Sequence, residues 1–281
     1  MKGEVVMIGY HTSRENYIIT NNLQVGNDLM IPHDIYGDIP FVVIGKNHDA
    51  PDTVTVLSKD IIRLLPFDAR ECANPDSAIR QYGNNRYDYS NLLQWLNSDK
   101  STKDWYTDQH LYDQSPVNAL VVSYTPYLFE DGFLRGFSDT LKSQLVSADK
   151  FTVKSDKTSD IVTSKVFLLS ATEVGLGDLS YNDDLVEGEV YEYFNKPKDD
   201  NMQVAYPSDF CVHNIGTFNI GFINKQVNRS KHHGWYWWTR THYTNTTGHL
   251  LMVNSDGALD YAMATSGYVG VRPAMVIKNY E

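Results

Sequence analysis

Apolar positions recur in short runs along the chain, and the last third carries the densest of them. Gly234-Trp235-Tyr236-Trp237-Trp238-Thr239-Arg240-Thr241 is almost entirely aromatic. Leu250-Leu251-Met252-Val253 leads into Asn254-Ser255-Asp256-Gly257, and Gly270-Val271-Arg272-Pro273-Ala274-Met275 closes the pattern. Runs rich in aromatic and β-branched residues, divided by turn chemistry, read as the innermost strands of a mixed domain. Each ring can bury roughly 150–250 Å², and alternation sends neighbouring rings to opposite faces of a sheet. Trp235, Trp237 and Trp238 are therefore core organisers first, with one of them still available as the floor of a sugar site. Asp256-Gly257 between apolar runs predicts a hairpin, because Gly257 supplies the positive φ such turns require, so 250–253 should pair with 258–264. The intervening His242-Tyr243-Thr244-Asn245-Thr246-Thr247-Gly248-His249 holds no side chain suited to a core and is expected to be an exposed loop.

Upstream, apolar runs at 29–31, 41–44 and 54–57, separated by Gly, Pro, Asn and Asp, read as antiparallel strands at hairpin spacing. Residues 58–65 read as a short helical turn. A first helix is expected over 89–98, with Ser90 as N-cap and Leu92, Leu93 and Leu96 as its apolar stripe. A second is expected over 133–146, where Phe133, Phe137, Leu141 and Leu145 recur at i+4 steps. Strands near 150–153 and 165–169 follow, and 178–221 looks rich in loops. Two β-prone runs at 4–10 and 17–20 flank a polar turn, so 1–22 reads as a hairpin. It either completes the domain or docks it to a larger assembly by strand pairing.

With 281 residues, 42% of them hydrophobic, the chain can bury a sizeable core, and no linker or repeat divides 23–281. The net charge of −11 repels polyanions, which excludes nucleic acid as an expected partner. No apolar stretch approaches the ~20 residues needed to cross a bilayer, and from Met1-Lys2-Gly3-Glu4 no secretory signal is expected. Cys72 and Cys211 belong to no CxxC motif and are expected as free thiols, with a disulfide left to geometry.

Catalytic signatures are absent from the sequence: it contains no Gly-rich phosphate loop, HExxH motif or GxSxG elbow. His232-His233 would point to opposite faces of a strand, and Asp183-Asp184 and Asp199-Asp200 sit in polar stretches, so no metal and no cofactor is expected. Asp256 is explained by the turn. Arg240 and Arg272 fall in runs that should be buried, where their donors must meet carboxylates or carbonyls, so both are expected to pin the surrounding loops.

The order WYWWTRT, polar loop, VNSDGALD, GYVGVRPAM resembles the C-terminal half of the C-type-lectin-like domains of phage and prophage proteins from Gram-positive bacteria. The similarity extends upstream through Leu64-Leu65-Pro66-Phe67-Asp68-Ala69-Arg70-Glu71, Tyr82-Gly83-Asn84-Asn85-Arg86-Tyr87, Leu92-Leu93-Gln94-Trp95-Leu96-Asn97, Val166-Phe167-Leu168-Leu169-Ser170 and Glu173-Val174-Gly175. It covers about 23–277. The resemblance implies an α+β C-type-lectin-like fold, with twisted antiparallel strands and two helices. It is similar, more distantly, to the variable receptor-binding proteins of phages and to formylglycine-generating enzymes. In the latter, activity rests on a cysteine pair that Cys72 and Cys211 do not reproduce. The sugar-binding motifs of calcium-dependent lectins are also absent, and only Asn254-Ser255-Asp256 falls in a comparable place.

In the receptor-binding relatives, the region after the aromatic run holds the diversified ligand positions. Here it contains His242, Tyr243, Asn245, Thr246, Thr247 and His249, then Asp260, Tyr261, Met263, Thr265 and Tyr268. This is the mixture of flat and adaptable polar side chains that binding loops use. The expected function is a virion protein, on a tail, baseplate, fibre or capsid, that recognises a host-surface glycan or protein through these residues. It would contact other virion proteins through 1–22, and a homo-oligomer is compatible with that setting. A purely architectural decoration protein docked by 1–22 is the alternative, and an enzyme of the formylglycine-generating type the third. No Lys or Arg occurs between Thr241 and Arg272, so a neutral ligand is expected.

Overall fold

The apolar runs at 29–31, 41–44 and 54–57 form β1 (Asp28–His33), β2 (Gly37–Lys46) and β3 (Thr53–Ser58), an antiparallel meander as expected. The computed structural model describes residues 22–123, 125–177, 186–195, 202–213 and 234–279. The 1–22 hairpin, apart from Asn22, lies outside the described residues, as do His232-His233, Asp183-Asp184 and Asp199-Asp200. Every residue of β3 is buried, which suits a strand covered on both faces.

Residues 58–65 do not form the expected helical turn; they contain β4 (Arg63–Leu64). Ile61, Ile62, Leu64 and Leu65 are all buried, so no polar helix face is available. Their amides bond across the sheet instead: Ile62 N–H to the Val271 carbonyl and Leu65 N–H to that of Val269.

Four short helices are described rather than two: α1 (Ser77–Tyr82), α2 (Asn91–Leu96), α3 (Asp139–Gln144) and, near residue 210, α4 (Asp209–His213). Ser90 caps α2 by accepting from Leu93 N–H at 3.2 Å, and Leu92, Trp95 and Leu96 are buried. The expected helix over 133–146 is broken. Phe133–Gly136 is a 3₁₀ turn, Phe137 is extended, and Ser138 caps α3 by accepting from Leu141 N–H at 3.2 Å. Gly136 sits so close beneath the His33 ring that a Cβ there would approach it to 2.0 Å. Phe133 and Phe137 keep their place in the core by packing on His33.

The remaining strands are β5 (Leu145–Val146), β6 (Ala148–Val153), β7 (Ser159–Ser164), β8 (Val166–Phe167), β9 (Trp237–His242), β10 (His249–Val253), β11 (Leu259–Met263), β12 (Gly270–Val271) and β13 (Ala274–Lys278). One sheet runs β1-β2-β3-β13-β5 with β8 also on β13, a second runs β11-β10-β9-β12-β4, and β6-β7 form a ribbon. The ladders between these strands are antiparallel except β12 on β9, so the fold is α+β with predominantly antiparallel sheets. The two ends of the described region meet, because the Asn279 side-chain oxygen accepts from Leu23 N–H at 3.0 Å.

Trp237 and Trp238 occupy opposite faces of β9, as alternation requires. Trp238 packs on Phe67 with ring centroids 5.9 Å apart, while the Arg272 guanidinium lies 5.1 Å from the Trp237 ring. Their indole N–H groups, and that of Trp235, each donate to a carbonyl at 2.8 Å. All three rings are buried, which removes the expectation that one forms the floor of an open sugar site.

Candidate ligand-binding face

The turn at Asn254–Gly257 folds β10 against β11, the pairing expected, and the register sets Leu251 opposite Tyr261 and His249 opposite Met263. Asn254 Oδ1 accepts from the amides of Asp256 and Ala258, Asp256 Oδ1 accepts from Ala258 N–H, and Gly257 has φ 88°. Asp256 thus serves the turn. Pairing by twos puts His249, Leu251, Tyr261 and Met263 on one face of the hairpin. Tyr261 is 45% exposed there.

Tyr243 follows β9 and stacks on Tyr261, with ring centroids 4.4 Å apart and planes within 4° of parallel. His249 approaches Tyr261 edge-on at 5.9 Å, and Tyr82, at the end of α1, meets His249 at 5.0 Å. Tyr82, His249, Tyr261 and Tyr243 therefore form one aromatic row. Asn245 lies beside it and donates its side-chain amide to the Tyr243 hydroxyl at 3.0 Å. Burial holds the His249 imidazole below its ordinary pKa, so it is neutral at pH 7.

The loop beside this row is held from below. Asn85 donates its side-chain amide to the carbonyls of Thr246 (2.7 Å) and His249 (3.0 Å), and its N–H to that of Thr247. Thr247 donates its hydroxyl to Asp76 Oδ2 at 2.7 Å, while the other oxygen of Asp76 caps α1. Asn85 is fixed in turn by its neighbour: Asn84 N–H donates to Asp68 Oδ2 at 3.0 Å and its side-chain amide to Glu71 Oε1 at 2.9 Å. Burial, with the nearby Asp113 charge, pushes the Asp68 carboxyl well above the usual carboxylate range. Tyr82, Asn85 and Asp76 are site residues that hydrophobic pattern alone does not reveal, since they reach the loop only through tertiary contact.

Some expected members do not belong to this face. His242 is a buried end of β9 that hydrogen-bonds the Val153 backbone, and burial lowers its pKa to about 4. Thr265 is fully buried, its amide donating to the Tyr82 carbonyl behind the row. Tyr268 is half-buried against Tyr236 at 6.3 Å, away from the row. Asp260 is half-buried on the opposite face of β11, where its Oδ1 accepts from the adjacent Tyr261 N–H; Met263 does share the face of Tyr261, half-buried opposite His249. Thr246 directs its hydroxyl oxygen to Gly248 N–H and so shapes the loop.

Arg240 and Arg272 are buried, as expected. Arg272 Nε donates to the Ser58 carbonyl at 2.7 Å. Arg240 forks onto Glu173, Nη1 to Oε2 at 2.6 Å and Nη2 to Oε1 at 3.0 Å, and Nη1 also donates to the Leu168 carbonyl. Cys72 is exposed, Cys211 is buried, and both are free; burial pushes the Cys211 thiol up to about 12. Among the described residues, no group of three or more His, Cys, Asp or Glu is placed to hold a metal ion, and no helix is long and apolar enough to cross a membrane.

The molecule is thus an α+β domain presenting an aromatic row beside a braced polar loop. Residues 52–279 match the model of a family described as a domain of unknown function, DUF6273, and the chain belongs to that family. No curated protein and no solved structure matches it.

Proposed function

We propose that the chain is a phage virion protein whose C-type-lectin-like domain binds a neutral host-surface ligand, a glycan or a protein, through the row Tyr82, His249, Tyr261 and Tyr243. The observation that carries this reading is the parallel Tyr243–Tyr261 stack on an exposed hairpin face, flanked by Asn245. Flat rings supply contact area at small entropic cost, and neighbouring amide and hydroxyl groups supply direction. The loop is pre-organised by Asn85 and Asp76, so little order must be gained on binding. Residues 1–22 would join the domain to other virion proteins.

The test is binding of the isolated protein to Gram-positive cells and to their purified wall polysaccharide. Tyr243→Ala combined with Tyr261→Ala should weaken binding at least tenfold, about 1.4 kcal/mol, while the protein stays folded. Undiminished binding by the double variant would sink the proposal.

A further inference from the structure

Away from that face, a lysine and two carboxylates meet in a buried cluster that the binding reading does not use. Lys150 on β6 places Nζ 2.5 Å from Asp49 Oδ1, in the turn between β2 and β3, and 3.2 Å from Glu173 Oε1. The three side chains are only 3%, 7% and 3% exposed respectively. Rings cover the cluster: Nζ lies 4.2 Å from the Phe167 centroid and 5.1 Å from that of Tyr191, and His48 stacks on Tyr191 at 4.0 Å. Lys150 Nζ also donates to the Tyr191 hydroxyl at 2.6 Å, which itself donates to Asp49 Oδ2 at 2.8 Å. Thr55 donates to that same oxygen.

An amine held against a carboxyl, both buried beneath aromatic rings and with a second carboxylate within reach of the amine, is an arrangement suited to condensation. We propose that Lys150 and Asp49 join in an intramolecular isopeptide bond, with Glu173 carrying the proton. The pair starts as ammonium and carboxylate. A proton passes along the short Nζ–Oδ1 hydrogen bond, leaving a free amine and a carboxylic acid. The Nζ lone pair attacks Cγ, and the Tyr191 hydroxyl stabilises the charge that develops on Oδ2. Glu173 Oε1 takes the second Nζ proton and delivers it to the Oδ1 hydroxyl, which departs as water. The Nζ–Cγ amide replaces one positive and one negative charge, and neither oxidant nor cofactor is consumed.

Arg240 has a defined part in this: its fork fixes Glu173 with Oε1 towards Lys150. The bond would clamp the β2–β3 turn to the β6–β7 ribbon. It would also remove an ion pair whose burial otherwise offsets much of its own attraction.

Intact-mass measurement on the purified full chain decides the matter. The expected mass is lighter than the sequence by one water, about 18 Da, and a protease digest should yield one branched peptide joining Asp49 to Lys150. K150R and E173Q should each restore the sequence mass. A wild-type chain at full sequence mass means an ion pair only and overturns the proposal, whether or not the variants fold. A loss of water that persists in K150R, which would place the dehydration elsewhere, overturns it equally.

Discussion

The rings of Tyr243 and Tyr261 lie 4.4 Å apart and parallel within 4°, although one follows β9 and the other belongs to β11. Such a pair contributes about 0.5–1.5 kcal/mol beyond the area it buries. A double-mutant cycle with Tyr243→Ala and Tyr261→Ala, read by urea unfolding, should give a coupling energy in that range. The combined loss of stability should remain far below that of a core ring, because Tyr261 keeps 45% of its surface in water. A coupling near zero would mean that the two rings do not form one platform in solution.

The charge of the ligand follows from what surrounds the row. His249 is neutral at pH 7, and the nearby Arg80 directs its guanidinium to the carbonyls of Asn74 (2.7 Å) and Pro75 (2.8 Å). A ligand recognised here is held by stacking and hydrogen bonds. Binding should therefore change less than about threefold between roughly 50 and 500 mM salt, a range over which the Debye length shrinks several-fold. A steep loss across that titration would show that charge carries the affinity, and loss on chelation alone would show a bridging cation.

Features set by neighbouring residues were legible in the sequence. Ser90 caps α2, Asp256-Gly257 turns the last hairpin, and the Trp237–Trp238 alternation divides two faces, because each depends on local geometry. The 133–146 periodicity misled because an i+4 pattern cannot register that the His33 ring lies against Gly136. His242 and Thr265 read as exposed from polarity alone, yet strand pairing buries the first and the chain at Tyr82-Gly83 covers the second. The braces under the loop, Asp76 and Asn85, lie 171 and 161 residues from the Thr247 and Thr246 groups they hold, beyond the reach of any window.

Arg240 is the group whose removal should damage the fold most. It is fully buried against Glu173, and although burial pushes the Glu173 carboxyl up, the Arg240 guanidinium, helped by Lys150 for as long as it remains an ammonium, holds it below the usual range. Arg240→Met leaves that charge short of its fork and should cost about 3–5 kcal/mol. Arg240→Lys should recover only part, since an ammonium cannot bond both oxygens in the plane the guanidinium uses. Urea midpoints for both variants check this, and a lysine variant as stable as the parent would refute the role given to the fork.

His33 should make stability depend on pH in a direction its hydrogen bonds dictate. Its Nδ1 accepts from the amides of Ile35 and Tyr36, both at 3.2 Å, so Nε2 carries the proton and donates to the Phe133 carbonyl at 2.9 Å. Protonating Nδ1 would set a donor against two donors, and burial lowers the pKa to about 4 despite the opposing pull of Phe133 and Asp34. The unfolded chain binds a proton near pH 6.5, while the folded chain refuses it until about 4. The contribution is therefore complete above 6.5, falls as pH drops through that interval, and is flat below it. Its size is about 3 kcal/mol at most. His242 acts in the same sense, whereas Asp68 and Glu187, whose carboxyls are raised by burial, act in the opposite one. The whole-protein curve mixes these signs, so a variant is needed. His33→Asn keeps a side-chain oxygen able to accept from both turn amides and removes the titration. Its stability relative to wild type should rise by up to about 3 kcal/mol between pH 7 and pH 4, measured by urea unfolding at each pH. Parallel curves for the two proteins would show that the imidazole does not remain neutral in the fold.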